Sequence, residues 1–284
     1  MPDLNQIHAE QVAYWNGEGG TRWVARQAHT DSMLAPVTEA ALAFAAARPR
    51  DHVLDIGCGC GGTTLALAAS VPQGRVTGLD VSAPMLAVAE ARQREAMNVE
   101  WLLADAASHP FEPHSFDLLF SRFGVMFFGD PVAAFANLRR AMRPGARLAF
   151  ACWCGLADNP WMEVPLRAAE PHLPPLPPPQ PGAPGPLAFA DPDRVARILT
   201  GAGWAQPEIR RHRFSFDLAG GKGLDTAAEH ATRMGAAARA MAGQPEAMRL
   251  AAAQAIRAAL APHATGDGRV LLDGTVWLVG SENA

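Results

Sequence analysis

Along the first half of the chain the apolar positions switch repeatedly between two spacings, and each switch marks an element. Short runs rich in β-branched and apolar residues, at His52–Ile56, Arg75–Leu79, Val99–Leu103, Phe116–Ser121 and Ala146–Cys152, read as strands. Longer amphipathic stretches between them, Gly62–Ser70, Pro84–Ala96 and Pro131–Met142, read as helices. Ser82 ahead of Pro84 and Asp130 ahead of Pro131 pair a capping side chain with a proline in the first turn, and Pro144-Gly145 stops the third helix. Strands alternating with helices of this length predict right-handed βαβ units, a parallel sheet and helices on both of its faces.

Beyond Cys152 the pattern changes. The proline-dense stretch over residues 171–186 is neither regular helix nor inner strand; it predicts a stiff loop across the surface, with docking of a proline-reading partner as the alternative. Asp191-Pro192 opens a further helix that runs to about Ala202 and ends at Gly203. Glu208–Asp217 alternates as a strand, Thr226–Leu260 is helical in period, and Arg269–Gly280 reads as a last strand with a kink at Gly274. A helical insertion between two strands suggests a lid built onto the sheet.

Composition narrows the possibilities. The chain has 284 residues, 49% hydrophobic and 18% charged, enough for a sizeable core and too apolar for wholesale disorder. A formal charge of −4 argues against a protein whose main task is gripping nucleic-acid backbones. The polar start lacks a secretory signal pattern, and no apolar run approaches the roughly 18–20 residues of a membrane span, so a cytoplasmic location is expected. The four cysteines form two C-x-C pairs, Cys58/Cys60 and Cys152/Cys154, a spacing unlike the usual zinc pairs; they read as reduced thiols, with no metal.

Candidate chemistry concentrates in V-L-D-I-G-C-G-C-G (53–61), a strand entering a glycine-rich turn and then a helix. Such a turn presents backbone N–H groups and a helix N-terminus to a ligand. Gly57, Gly59 and Gly62 satisfy G-x-G-x-x-G, which keeps an NAD-dependent oxidoreductase open. Three acids at successive strand ends point elsewhere. Asp55 precedes the first glycine, where a diphosphate would be poorly served and an ammonium group welcome. Asp80 follows about 20 residues on, placed for ribose hydroxyls, and Asp105 is placed to accept from an adenine amino group.

The motifs 53–61, L-D-V-S-x-x-M (79–85), A-D-A (104–106), F-D-L-L-F-S-R (116–122) and R-P-G-A-R-L (143–148), in that order, resemble the class I S-adenosylmethionine-dependent methyltransferases, especially the small-molecule branch with the quinone-biosynthesis enzymes. The resemblance implies an α/β, Rossmann-like fold with a seven-stranded, mostly parallel sheet, helices on both faces and a helical lid before the last strand. It divides the chain into an N-terminal helical cap (1–49), a cofactor-binding core (50–153), the proline-rich connection (154–190) and a C-terminal part (191–284) carrying the lid at about 222–264. S-adenosyl-L-methionine is the implied cofactor. Gly57, Cys58 and Gly59 would pass under its methionine moiety and Asp55 would serve its ammonium group. Asp80 would hold the ribose, Val81 and Met85 would sandwich the adenine, and Asp105 and Ala106 would read its edge. Ser121, where the family often has Asn or Asp, and Arg122 would border the methionine portion.

Tyr14, Trp15 and Trp23 lie in a segment that, in similar enzymes, folds over the cofactor, so Trp15 or Trp23 is a candidate roof. Phe123, Met126, Phe127, Phe128 and Trp153 follow strand ends, where open α/β sheets bind ligands, and Phe123, Met126 and Trp153 are candidate substrate contacts. With Met234, Met241 and Met248 in the lid segment they suggest a small, partly apolar acceptor; the alternative for these methionines, spaced by seven, is a helix stripe packed on the sheet. No catalytic base declares itself among His8, His29, His230 and the remaining histidines. A non-catalytic, cofactor-binding regulatory protein therefore stays open beside the oxidoreductase, and the sequence leaves monomer and homodimer undecided.

Overall fold

The computed structural model describes residues 4–93, 98–175 and 182–284. Its centre is a seven-stranded sheet built from β1 (His52–Ile56), β2 (Arg75–Asp80), β3 (Val99–Leu103), β4 (Phe116–Arg122), β5 (Met142–Trp153), β6 (Glu208–Asp217) and β7 (Leu271–Glu282), ordered β3-β2-β1-β4-β5-β7-β6. The pairs among β1 to β5 are parallel, while β7 runs antiparallel to both β5 and β6. Val53, Leu54, Leu118, Leu119 and Phe120 are fully buried, as expected of central strands covered on both faces. The chain order reverses beside β1, so the carboxyl ends of β1 and β4 open onto the crevice where such sheets take ligands.

Three helices precede the sheet: α1 (Leu4–Asn16), α2 (Glu18–Val24) and α3 (Gln27–Ala45). Helix α3 buries Leu34, Val37, Ala41 and Ala45, a stripe that seats it on the sheet. Helices α4 (Gly62–Ser70), α5 (Ala83–Arg92) and α6 (Pro131–Ala141) connect the parallel strands, and α7 (Pro160–Ala169) and α8 (Pro192–Gly201) follow. The side chain of Asp130 caps α6 by accepting from Ala133 N–H at 3.0 Å, and Asp191 caps α8. The expected end of α5 at Ala96 lies outside the described residues, as does the centre of the proline-rich stretch, 176–181. Its described end tucks Phe189 against Phe135 and Phe150.

Several boundaries differ from the sequence expectation for identifiable reasons. Helix α6 ends at Ala141 and β5 begins at Met142, ahead of Pro144-Gly145, because Met142 already pairs with Phe116. Gly145 then donates to the Asn283 carbonyl and Asn283 donates to the Ala146 carbonyl, which holds this segment extended beside the C-terminus. The segment 226–260 is three helices rather than one: α9 (Leu224–Ala231), α10 (Gly235–Met241) and α11 (Glu246–Leu260). Gly235 and Gly243 take φ of +72° and +71°, and Pro245 precedes α11, so the helix breaks twice. Met234, Met241 and Met248 consequently form no common stripe; Met241 is buried and Met248 is exposed. Strand β7 runs without a break through Gly274, whose missing Cβ makes room for the Phe216 ring.

Arg210, Arg211 and Arg213 belong to β6, the outermost strand, where charged side chains discourage another strand from adding. The Arg210 guanidinium lies over the Phe44 ring at 5.2 Å. The four cysteines are free and buried, and burial pushes the Cys58 thiol far above its ordinary value. Among the described residues no cluster of His, Cys, Asp and Glu is arranged to hold a metal, and no helix is long and apolar enough to cross a membrane.

Candidate functional site

The turn after β1 is built from glycines that the backbone needs. Gly57, Gly59 and Gly61 all have positive φ, and a Cβ on Gly57 would sit 2.6 Å from the Cα of Gly124. Four amides of this turn, however, bond within the protein. Gly57 and Cys58 donate to the Leu79 carbonyl at 2.9 and 3.1 Å, Gly59 donates to Asp80 Oδ2 at 2.8 Å, and Gly61 donates to the Cys58 carbonyl. The expectation that these N–H groups face a ligand therefore does not hold for residues 57–59 and 61. A diphosphate would find these four donors already engaged, which weakens the case for a dinucleotide site.

Asp55 is completely buried at the end of β1. Its Oδ2 accepts the hydroxyls of Thr63 and Thr64, each at 2.7 Å, while Oδ1 is buried without a partner. Burial drives its pKa up to about 6, against the pull of the threonine hydroxyls and of the Arg122 charge. Arg122, at the end of β4, donates to Thr38 Oγ1 at 2.6 Å and comes within 4.0 Å of Asp31, and its Nε is likewise buried without a partner. An orphaned acceptor and an orphaned donor thus lie near one another at the carboxyl ends of adjacent strands. Leaving either unsatisfied costs about 1–3 kcal/mol.

Asp80 closes β2 with both oxygens engaged, accepting from Gly59 N–H and, at 2.8 Å, from Ser82 N–H. Burial raises its pKa and these backbone bonds oppose the rise. Asp105, half-buried just past β3, accepts from Ala107 N–H at 3.0 Å and the Ser108 hydroxyl at 2.5 Å, and so shapes the turn; Ala106 is buried and its carbonyl accepts from Asn137. The three acids therefore sit at the carboxyl ends of neighbouring strands. Val81 is half-buried and Met85 buried. Ser121 bonds the Ile56 carbonyl at 2.8 Å and accepts from Gly124 N–H, so its hydroxyl ties the ends of β1 and β4 together.

The N-terminal helices close over this edge. Trp23 Nε1 and Met85 Sδ each lie 3.8 Å from the position of a Cβ on Gly59, and Trp15 packs edge-on against Trp23 and Phe127. Two residues here escaped the sequence reading. Asn16 donates to the Val81 carbonyl at 2.8 Å and accepts from Ala83 N–H at 3.0 Å, fastening the α1–α2 turn to the β2–α5 turn. Asp31 gathers Gln27, Arg92 (2.9 Å) and Arg122, and lies beside Gly62 at the start of α4. An acid three residues before Leu34, on the apolar stripe of α3, was the signal for Asp31; Asn16 left none.

On the far side, Phe123 stacks on Trp153 at 4.2 Å between centroids, and the stack continues to Trp161 and Phe216. Phe123 holds φ of +70°, rare for a bulky side chain and the kind of strain that collects at functional sites. Met126 is fully buried in the core. His29 and His230 stack face to face at 3.6 Å; burial, with the neighbouring positive charges, holds His29 near a pKa of about 4. The side chain of His8 lies outside the described residues.

The strand order, with acids closing β1 to β3 and a glycine turn over β1, defines a Rossmann-like fold. Within it, residues 53–145 match the family described as a methyltransferase domain. Demethylmenaquinone methyltransferase of Lactiplantibacillus plantarum is 42% identical over 101 residues, 34% of this chain and 43% of that protein. The match thus spans less than half of the length of such curated relatives. A solved Bacillus halodurans structure superposes over 87% of this chain and 98% of its own, with a TM-score of 0.55 and 16% identity. The [4+2]-cyclase SpnF superposes over 87% of this chain and 80% of its own, with a TM-score of 0.50 and 18% identity. These likenesses establish the fold; the cyclase shows that the fold alone leaves the reaction open.

Proposed function

We propose that this protein binds S-adenosyl-L-methionine at the carboxyl edge of β1, β2 and β4 and methylates a small, partly apolar acceptor on O, N or C. The observation that carries the reading is the pair of buried, unpartnered atoms, Asp55 Oδ1 and Arg122 Nε. An amino-acid group offers an ammonium to the first and a carboxylate to the second, so the residues fit the cofactor's methionine end. Asp80 fits the ribose, since a carboxylate holding two N–H bonds keeps lone pairs for hydroxyl donors. Val81 and Met85 would flank the adenine, with Asp105 and Ala106 at its edge. Gly57, Cys58 and Gly59 would form the floor and Trp23 the roof.

When bound, the cofactor supplies an activated methyl group that an in-line displacement passes to the acceptor. The chain's own part is to align and to exclude water. Alignment of reacting groups is worth on the order of 7–11 kcal/mol of barrier. Phe123 and Trp153 would present an apolar wall to the acceptor, and α1 and α2 would shut out solvent above the glycine turn. No general base is assigned.

Calorimetry with S-adenosylhomocysteine and with NAD tests the first half: the former binds in the micromolar range or better and the latter does not. Transfer of a labelled methyl group to a metabolite panel tests the second. Binding of NAD alone, activity confined to rRNA or protein, or cofactor binding with no turnover on any acceptor would each overturn the corresponding part.

A further inference from the structure

Beyond the aromatic stack, between α7, α9 and α10, lies a cavity that the cofactor reading does not use. Trp161, Met162, Leu218, His230, Met234 and Ala237 line it. Its open space is about 10 Å³ measured at the centre of a water molecule, room for one oxygen atom. Of the lining side chains, two carry polar atoms, Trp161 and His230. Trp161 is 8% exposed, and its Nε1–H is buried without a partner. His230 Nδ1 lies 2.9 Å from the Leu218 carbonyl, so Nδ1 carries a hydrogen, and in the tautomer that bears only that hydrogen Nε2 is an acceptor. The stack on neutral His29 fixes the plane of that ring.

A buried unpartnered donor and a ring-nitrogen acceptor, on two residues that line a space for one oxygen, match the partners a hydroxyl group needs, since it donates one hydrogen bond and accepts others. We propose that this cavity is a subsite for a hydroxyl carried by an apolar molecule, with the oxygen accepting from Trp161 Nε1 and its hydrogen donated to His230 Nε2. The apolar remainder of the molecule would lie along the Phe123–Trp153–Trp161 stack, which leads from the end of β4 to the cavity. Helix α10 forms one wall and is flanked by Gly235 and Gly243, both at positive φ; an occupant larger than one oxygen would require this helix to move. The subsite rests on the methyl-transfer reading only in making its occupant the acceptor.

The test is nitrogen-15 NMR of the whole chain, following the Trp161 indole signal, assigned by its loss in W161F or by sequential assignment. Benzyl alcohol and 1-hexanol are the probes; toluene and hexane are their controls. Both alcohols should shift the signal saturably, with the hydrocarbons at least fivefold weaker. H230F should weaken alcohol binding about 2- to 13-fold, the loss of one ordinary hydrogen bond, and H230Q, which restores an acceptor, should recover part of it. No shift, or equal responses to alcohol and hydrocarbon, would overturn the subsite and leave a packing void or a structural water. S-adenosylhomocysteine affinity measured on the same sample separates the two readings. Cofactor binding without an alcohol response overturns the subsite alone; an alcohol response without cofactor binding keeps the subsite and overturns the methyl-transfer reading.

Discussion

Replacing Asp55 by asparagine should stabilise the ligand-free protein above neutral pH while weakening its cofactor. The carboxyl group is fully buried and its pKa lies near 6 rather than the ordinary 3.8. The folded state therefore holds a proton on Asp55 that the unfolded chain releases between those values. The stability this contributes is complete below the unfolded pKa and is lost as pH rises through the folded one. A displacement of about two units corresponds to about 3 kcal/mol. Asparagine removes the buried charge yet keeps an oxygen for the Thr63 and Thr64 hydroxyls. Its amide nitrogen inherits the unpartnered position at a cost of roughly 1–2 kcal/mol, so the net gain at pH 8 is about 1–2 kcal/mol, or roughly 2–3 °C in Tm for a chain of this length. At pH 4.5 the wild-type carboxyl is itself neutral and the gain should vanish. Thermal unfolding of both proteins at pH 4.5 and 8 reads the difference, and calorimetry should show S-adenosylhomocysteine bound roughly 10- to 100-fold more weakly by the variant, which lacks a charge-assisted bond. A Tm difference that is the same at both pH values would refute the burial argument. Unchanged affinity would remove Asp55 from the ammonium.

Other substitutions probe neighbouring parts of the edge. Asp80→Ala should lose about 1.5–3 kcal/mol of S-adenosylhomocysteine affinity, read by calorimetry; an unchanged Kd would take Asp80 off the ribose. Gly57→Ala should destabilise the fold by more than about 3 kcal/mol, since it adds left-handed strain and a Cβ only 2.6 Å from Gly124 Cα, and denaturant unfolding checks this. Asn16→Ala removes the two bonds between the α1–α2 turn and residues 81–83. It should leave the global unfolding midpoint nearly unchanged and speed hydrogen exchange at Ala83 roughly 5- to 30-fold, as expected for about 1–2 kcal/mol of local stability. Ser121→Ala frees the Ile56 carbonyl at a cost of about 1–3 kcal/mol, and thermal unfolding reports that loss.

The sheet was legible because its central strands are covered on both faces. Leu54, Leu118 and Leu119 stand in short apolar runs, Val53-Leu54 and Leu118-Leu119-Phe120, each followed within a few residues by a glycine. Less legible was the region where two local signals competed. Thr226–Leu260 keeps a helical period throughout, and it was the backbone freedom of Gly235 and Gly243 that divided it. The start of β5 was hidden for a different reason: Pro144-Gly145 is a sound stop signal, but Met142 is held extended by Phe116 and by the chain terminus, partners far away in sequence.

The candidate site follows the same division between local and distant causes. Asp55, Asp80 and Asp105 are visible as acids closing successive strands, yet sequence spacing assigns them similar standing and the structure does not. Asp55 keeps a buried oxygen without a partner, Asp80 holds two backbone amides, and Asp105 holds its own turn. That difference arises from Thr63, Thr64 and the amides of Gly59 and Ser82, whose orientation depends on how the glycine turn folds against β2. The same fold engages the Gly57 and Cys58 amides with the Leu79 carbonyl. A G-x-G-x-x-G spelling therefore does not by itself specify a phosphate cradle: what distinguishes the two kinds of site is whether the amides of the turn point outward or back at the neighbouring strand. In this chain the amides of residues 57–59 and 61 point back, and under the proposed reading the unpartnered Asp55 Oδ1 and Arg122 Nε would take an ammonium and a carboxylate.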